Sequence, residues 1–210
     1  MGELSVNQKR KIGAIVIIHT VGLLGILSPY QDIFIQLSSL NLVVSAILIA
    51  PSFKGKKVLI GFLPIFILGF VIEYVGISTG LIFGEYHYGN GLFPIFMGVP
   101  LVIGVNWWML CYGTIEFTRR FKINKMFQVL SAALLLTFVD FIIEQVAPIL
   151  DYWHWEETVI PIQNYLAWFI FGAIFIYFLR KQSRDSKPNP VAPFLIITQT
   201  LFFILLFILL

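Results

Sequence analysis

The sequence contains little charge. Only 12% of its 210 residues are Asp, Glu, Lys or Arg, whereas 59% are hydrophobic and the mean hydropathy is +0.90. Soluble globular domains are about 25% charged and about 45–50% apolar. This balance excludes a soluble enzyme and a disordered chain. We therefore predict a single integral membrane domain that covers residues 1–210.

Cysteine and cofactor-binding motifs are also scarce. The one cysteine, Cys111, lies in an apolar run, which excludes a disulfide framework and a cysteine metal site. The chain has no glycine-rich nucleotide-binding loop, no H-E-x-x-H spacing and no D-D-x-x-D cluster. His87 and His154 lie near acids but lack metal-ligand spacing. We therefore predict no metal and no cofactor.

Long apolar runs are the main feature that is present. A helix needs about 20 apolar residues to cross a bilayer, and backbone polar groups cannot remain unpaired in lipid. Seven runs approach or reach this length, and the first two and the last are the shortest. The seven predicted spans are residues 12–28, 33–50, 58–77, 94–117, 126–150, 161–179 and 194–210. The prediction is an all-α polytopic membrane protein.

The 14 basic residues are confined to alternate connections between these spans. They are Lys9, Arg10, Lys11, Lys54, Lys56, Lys57, Arg119, Arg120, Lys122, Lys125, Arg180, Lys181, Arg184 and Lys187. The positive-inside rule then predicts a cytoplasmic N-terminus and an outer C-terminus in a bacterial or archaeal cytoplasmic membrane. Because the charges are spread over short loops, they do not form a patch for nucleic acid.

Spans three to six are predicted to be two copies of one unit, residues 58–117 and 126–179. Each unit has an acid in the outer half of its first helix, an aromatic outer loop, a proline before its second helix and a tryptophan seven residues later. The matched features are Glu73 with Asp140 and Glu144, loop 84–88 with loop 151–155, Pro100 with Pro161, and Trp107 with Trp168. Since both copies begin on the cytoplasmic side, we predict parallel repeats about an axis along the membrane normal.

Three acids lie within the predicted membrane, where a carboxylate is costly, so each is a candidate site residue, although Glu73 alone could also serve as a hydrogen-bond partner of a neighbouring helix. At about 1.5 Å per residue, Glu73 lies roughly 22 Å along its span, and Asp140 and Glu144 roughly 21–27 Å along theirs. Asp140 and Glu144 share a helix face, and two such carboxylates do not both ionise easily, so one is expected to act as a general acid. Gln163 and Asn164 enter the sixth span at comparable depth.

Aromatic side chains flank the same level. They are expected to form an interfacial belt, a π-rich wall that stabilises a cation, or both. The candidate substrate-binding residues are Gln163, Tyr86, His87, Tyr88, Trp107, Trp153, Trp155 and Trp168.

Other polar residues of the spans are expected to serve structure. Glu116 should form a salt bridge with Arg119 or Arg120 at the cytoplasmic boundary, and His19 should bond a neighbouring helix. Ser38, Asn41 and Ser45 form one polar stripe that is typical of helix packing.

Two blocks of sequence resemble the carotenoid 1,2-hydratase family, which is described as bisanhydrobacterioruberin hydratase or γ-carotenoid 1',2'-hydratase. The first block is EYVGISTGLIFGEYHY at residues 73–88 with GVPL at 98–101. The second is DFIIEQVAP at 140–148, WHW at 153–155 and PIQNYLAW at 161–168. The resemblance extends over residues 60–180 and implies a membrane-embedded enzyme of carotenoid biosynthesis.

The resemblance also implies a reaction that needs no cofactor. The substrate would be the acyclic end of a carotenoid in the bilayer. A carboxylic acid protonates C2 of the C1–C2 double bond, and water captures the tertiary cation at C1. Asp140 or Glu144 would be the acid, Glu73 its partner, and Asn164 with Gln163 would position the water.

Three other functions remain open at this point. A weaker resemblance links the chain to small membrane lycopene cyclases, although amides at Gln163 and Asn164 replace the two acids of their Pro-x-Glu-Glu motif. A cyclase would use the same cation without water. Buried acids could also serve a proton-coupled transporter, although they cluster at one height, and a scaffold in a pigment complex would need no chemistry. A retinal photoreceptor is excluded because residues 194–210 contain no lysine.

Overall fold

A computed structural model describes residues 3–51, 56–157, 159–183 and 186–210, with only the backbone at 56–58. Lys54 and Arg184, which contributed to the predicted topology, lie outside the described residues. The helices are α1 Val6–Ile26, α2 Gln31–Gln36, α3 Ser38–Ile49, α4 Lys56–Thr79, α5 Val102–Thr118, α6 Lys125–Glu144, α7 Ile162–Gln182 and α8 Ala192–Leu209. The strands are β1 Tyr86–Tyr88, β2 Ile95–Phe96, β3 Val99–Pro100 and β4 Trp153–Trp155.

The chain is an integral membrane protein. Within the described residues, five helical segments are long and apolar enough to cross a bilayer. They are Gln31–Ile49, Leu59–Thr79, Lys125–Glu144, Ile162–Gln182 and Ala192–Leu209. Of the other two predicted spans, α1 carries three basic residues near its start and α5 has only 17 residues. The prediction of a mostly helical membrane protein is therefore confirmed.

Local sequence explains several helix ends. Ser5 and Gln8 form a reciprocal capping box at the start of α1, and the Asn124 side chain accepts from two backbone N–H groups at the start of α6. Pro161 caps α7 and Pro193 lies in the first turn of α8, where a missing N–H costs nothing.

Two predicted spans are shorter than expected. The fourth does not begin at residue 94, because residues 95–100 form the hairpin β2–β3 around Met97 and Gly98, whose φ angles are 51° and 81°. The fifth ends at Glu144, followed by turns rather than helix up to residue 150. Pro148 lies in that stretch and cannot donate a helical hydrogen bond.

Helix α5 is the centre of the bundle. It is buried along nearly its whole length and packs against α3, α4, α6, α7 and α8. Glycines permit this close packing: a Cβ on Gly104 would clash with the Phe66 carbonyl of α4, and one on Gly113 would clash with Ile196 of α8.

The connections at one end of the bundle pair with each other. Strands β1 and β4 form an antiparallel ribbon in the register Tyr86 with Trp155, His87 with His154 and Tyr88 with Trp153. Backbone hydrogen bonds extend the pairing beyond the strands on both sides. The predicted all-α class therefore needs one addition: two small sheets lie in the loops, and the ribbon joins the loops of the two predicted units.

The opposite end carries basic residues of the α5–α6 and α7–α8 connections and of the helix ends next to them. There Arg119 forms the expected salt bridge with Glu116 at 2.5 Å, and the Asn189 backbone N–H donates to the same carboxylate at 2.6 Å. Arg119 also donates to the Ser183 carbonyl at 3.1 Å. Glu116 is thus a structural residue that ties two connections together.

Candidate active site

Glu73 is a buried carboxylate of α4 that is surrounded by donors. Its Oε2 accepts from the Tyr86 hydroxyl at 2.5 Å and from the Tyr88 hydroxyl at 2.8 Å. Its Oε1 accepts from the Trp107 indole N–H at 2.8 Å. Burial, and next the charge of Glu73, raise the pKa of both tyrosines well above 10.0, so each keeps its proton and acts as a donor.

Glu144 of α6 has an equivalent environment. Its Oε2 accepts from the indole N–H groups of Trp153 at 2.9 Å and Trp155 at 2.8 Å. Its Oε1 accepts from the Asn164 side-chain amide at 3.1 Å. The ribbon therefore supplies two donors to each glutamate: tyrosines from β1 to Glu73 and tryptophans from β4 to Glu144.

Asp140 lies one helical turn before Glu144 and shares a partner with it. The Asn164 amide donates to Asp140 Oδ2 at 3.1 Å, so this one NH₂ group bridges the two carboxyls. The other oxygen, Oδ1, is buried and has no hydrogen-bond partner among the described residues. Asp140 is thus the least satisfied of the three acids, and a carboxyl oxygen in that state can carry a proton without losing a hydrogen bond.

The two glutamates line a common space, which we call the acid cavity. Its volume is about 20 Å³, enough for one water molecule. Its polar lining also includes Asn106 and Asn164, and Asp140 contacts it only through Asn164. The apolar and aromatic lining consists of Phe83, Tyr86, Tyr88, Ile103, Trp153, Trp155 and Trp168.

A pair of stacked tryptophans lies between α5 and α7. The rings of Trp107 and Trp168 are 4.0 Å apart and tilted by 13°. Trp107 donates to Glu73, and Trp168 lines the acid cavity. A Cβ on Gly69 would lie 2.9 Å from the Trp107 side chain, so the glycine of α4 makes room for this ring.

Comparison with known proteins identifies the family of the chain. A family model described as carotenoid biosynthesis protein matches residues 33–210. The chain belongs to the carotenoid biosynthesis protein family. No curated protein and no solved structure matches it significantly. Family membership assigns the chain to carotenoid biosynthesis without separating hydration from cyclisation.

In this carotenoid biosynthesis protein, two of the candidate residues do not reach the acid cavity. Gln163 donates to the backbone carbonyls of Gly80 at 3.2 Å and Leu81 at 2.5 Å, which ties α7 to the end of α4. The His87 side chain is 59% exposed, lies 3.1 Å from Glu156 and stacks on His154. The other ten candidate residues either line the acid cavity or hydrogen-bond to a residue that does.

A second cavity, which we call the amide cavity, adjoins the first and was not expected from the sequence. It measures about 50 Å³ and shares Ile103, Asn106 and Trp153 with the acid cavity. Its other polar lining residues are His19, Ser38, Asn41, Tyr152 and Gln199. Single amides at Asn106 and Gln199 within apolar helices were the signal that could have indicated it.

The roles expected for His19 and for the polar stripe of Ser38, Asn41 and Ser45 change accordingly. His19 Nδ1 bonds the Ile15 carbonyl of its own helix at 2.8 Å, not a neighbouring helix. Ser38 accepts from the Tyr152 hydroxyl at 2.7 Å, whereas Ser45 donates to Asn41 within α3 at 3.0 Å. His19, Ser38 and Asn41 therefore line the amide cavity, and Ser45 bonds one of its lining residues.

No group of three or more His, Cys, Asp and Glu side chains in the described ranges is placed to hold a metal ion. The three acids of the site are instead paired with tyrosine, tryptophan and asparagine donors.

Proposed function

We propose that the protein hydrates the C1–C2 double bond at the acyclic end of a carotenoid. The observation that carries this proposal is the acid cavity: two buried glutamates face a space for one water molecule inside an aromatic wall. Hydration needs an acid, a bound water and a surface that tolerates a carbocation. The carboxyls can supply the acid, the cavity has room for the water, and the aromatic rings can supply the surface. Membership of the carotenoid biosynthesis family supports the substrate class.

The chemistry is acid-catalysed addition of water. The protonated Asp140–Glu144 pair transfers its proton to C2 through Glu144, the member of the pair that lines the acid cavity. The π electrons form the new C–H bond and leave a tertiary cation at C1. Water adds through oxygen to C1, and the proton it loses returns to a carboxylate. Glu73, the carboxylate of α4, accepts three hydrogen bonds and is the base for that proton. The cycle closes when the proton passes from Glu73 to Glu144 through a water in the cavity that both residues line.

Aromatic rings are suited to the cationic intermediate. Tyr86, Trp155 and Trp168 line the acid cavity, and the electron-rich face of such a ring attracts a cation. Asn164 holds the acid pair together through its single NH₂ group, so we assign it to the acid side of the reaction.

The same proposal includes seven membrane spans and an internal duplication. Helices α1 and α5 would cross with the five longer segments, with the N-terminus in the cytoplasm. Equivalent hydrogen bonds support the duplication: β1 tyrosines serve Glu73, β4 tryptophans serve Glu144, and Trp107 stacks on Trp168. The symmetric β1–β4 register supports parallel repeats about one axis.

Expression in cells that accumulate an acyclic carotenoid tests the function. We expect the wild-type protein to yield a product heavier by one water. Asp140→Asn and Glu73→Gln should each lower that product by about a hundredfold or more, the range for loss of a general acid or base, while the protein still accumulates in the membrane. Asp32→Asn makes the same chemical change at an exposed acid of α2 and should leave the product unchanged.

The product of this experiment also separates the alternatives. An isomeric ring product would identify a cyclase and contradict hydration. Wild-type levels of hydrated product in both cavity variants would show that the site assignment is wrong.

A further inference from the structure

We propose that the amide cavity binds the water that the reaction consumes and that Asn106 delivers it to the acid cavity. This inference rests on the proposed hydration and names the source of its second substrate. It assigns a water-binding role to Asn106 and Gln199, two residues outside the acid pairs described above.

Several polar groups of the amide cavity are acceptors without a donor in the part of the chain that the structure describes, so they favour a ligand that donates hydrogen bonds. Asn106 Oδ1 and Gln199 Oε1 are buried acceptors without a partner among the described residues. His19 uses Nδ1 as a donor to the Ile15 carbonyl, which leaves Nε2 of a neutral ring as a third acceptor. An unpaired buried acceptor has lost its bonds to water without replacement, so occupation by a donor is favoured.

Water fits this set of groups better than an organic ligand does. The volume of about 50 Å³ accommodates more than one water molecule. Asn41 accepts from Ser45 through Oδ1, so its NH₂ group can donate to the same ligand. Water alone offers two donors and two acceptors in so small a space.

Asn106 connects the two cavities. It lines both of them, together with Ile103 and Trp153. Because its side chain lines both cavities, a water bound at Asn106 Oδ1 lies where the amide cavity meets the acid cavity. From there one lone pair of the water can attack C1 while a hydrogen is held by Asn106, and the released proton passes to a carboxylate.

This arrangement predicts a specific failure when Asn106 is made apolar. In Asn106→Leu, the acid still protonates C2, but the cation has no positioned water and returns to alkene by losing a proton. We therefore expect membranes that contain the variant, supplied with lycopene in D₂O buffer, to place deuterium in the recovered alkene at or above the wild-type level. Hydrated product should fall about tenfold, the equivalent of one hydrogen bond.

Two further variants keep the test decisive. Gln199→Leu changes the amide cavity from α8, so it should also lower hydration while deuterium exchange stays at or above the wild-type level. It carries the test if Asn106→Leu does not accumulate in membranes. Thr114 lies about two turns along α5 from Asn106, and its hydroxyl bonds only carbonyls of its own helix. The control variant Thr114→Val should therefore behave as wild type.

The outcomes distinguish this inference from the proposed function. Hydration at the wild-type level in Asn106→Leu and Gln199→Leu would overturn the water role. Loss of both hydration and exchange would overturn it as well, because protonation would then depend on these amides. A wild-type protein that shows neither hydration nor exchange would overturn the proposed function itself, and the inference with it.

Discussion

At the scale of single residues, the site depends on which neighbour in the sequence points inward. Asn164 bridges Asp140 and Glu144, whereas Gln163 bonds the backbone at the end of α4. Adjacent residues of a helix point about 100° apart, so only one of a polar pair can face a given cavity. The sequence predicted the depth of both amides but not which of the two side chains faces the acids.

The acids were easier to predict than Asn106. A carboxylate in the middle of an apolar span is costly to bury, so Glu73, Asp140 and Glu144 could be identified from the sequence pattern alone. A lone asparagine can be satisfied in many ways within a bundle. The role proposed for Asn106 rests on an unpaired buried oxygen between two cavities, which is a property of the packing.

Asp151 supports a pH-dependent prediction at the same scale. Its carboxylate accepts from His154 at 2.7 Å and from the Asn90 backbone at 2.9 Å, and these bonds lower its pKa below the ordinary 3.8. A carboxyl with a lowered pKa stabilises the folded state above its ordinary value, and the contribution is lost as pH falls through the folded value.

We therefore expect Asp151→Asn to lower the thermal unfolding temperature of the purified protein at pH 7. The difference from wild type should shrink below about pH 4, where the wild-type carboxylate begins to take up its proton. A difference that stays constant between pH 7 and pH 3 would contradict this assignment.

At the scale of helices, the position of the site depends on how closely α4 and α5 approach. Gly69 makes room for the Trp107 ring, and Gly104 allows α5 to contact the Phe66 carbonyl. The apolar runs predicted that these helices exist. They did not predict where α5 begins, because residues 95–100 are apolar enough for a span yet form a hairpin.

The prediction at this scale is that Gly104→Ala separates the two helices. Its Cβ would clash with a backbone oxygen, which cannot rotate away, so we expect destabilisation of about 1–3 kcal/mol. Gly13→Ala is the matched control, since its Cβ would meet nothing within 4 Å and alanine favours a helix. Thermal unfolding of the two variants in detergent should show a loss for the first alone.

At the scale of the whole molecule, the two ends of the bundle differ in charge and in the structures they carry. One end carries the β1–β4 ribbon next to the acid cavity, and the other carries basic connections joined by Arg119 and Glu116. The sequence predicted which connections lie at the basic end, because successive spans place alternate loops on the same side of the membrane. The pairing of the two loops could not be predicted, since it depends on contacts between residues more than 60 positions apart.

Labelling of introduced cysteines tests the orientation. The native Cys111 is buried, so it should be silent toward a maleimide that cannot cross membranes. We expect His87→Cys to be labelled in intact cells and Lys122→Cys only after permeabilisation, as the positive-inside rule requires. The reverse pattern would contradict a cytoplasmic N-terminus, and Cys111→Ala without additions is the control for background.

The centre of the β1–β4 ribbon is a pair of identical residues, His87 and His154, with aromatic partners arranged symmetrically on both sides. If the two units derive from one, an ancestral half-length chain would have met a second copy of itself at these loops. Such a contact is isologous, with the same patch used by both copies. Neither copy would have enclosed the acid cavity alone, so the ancestor of this protein would have been active only as a dimer.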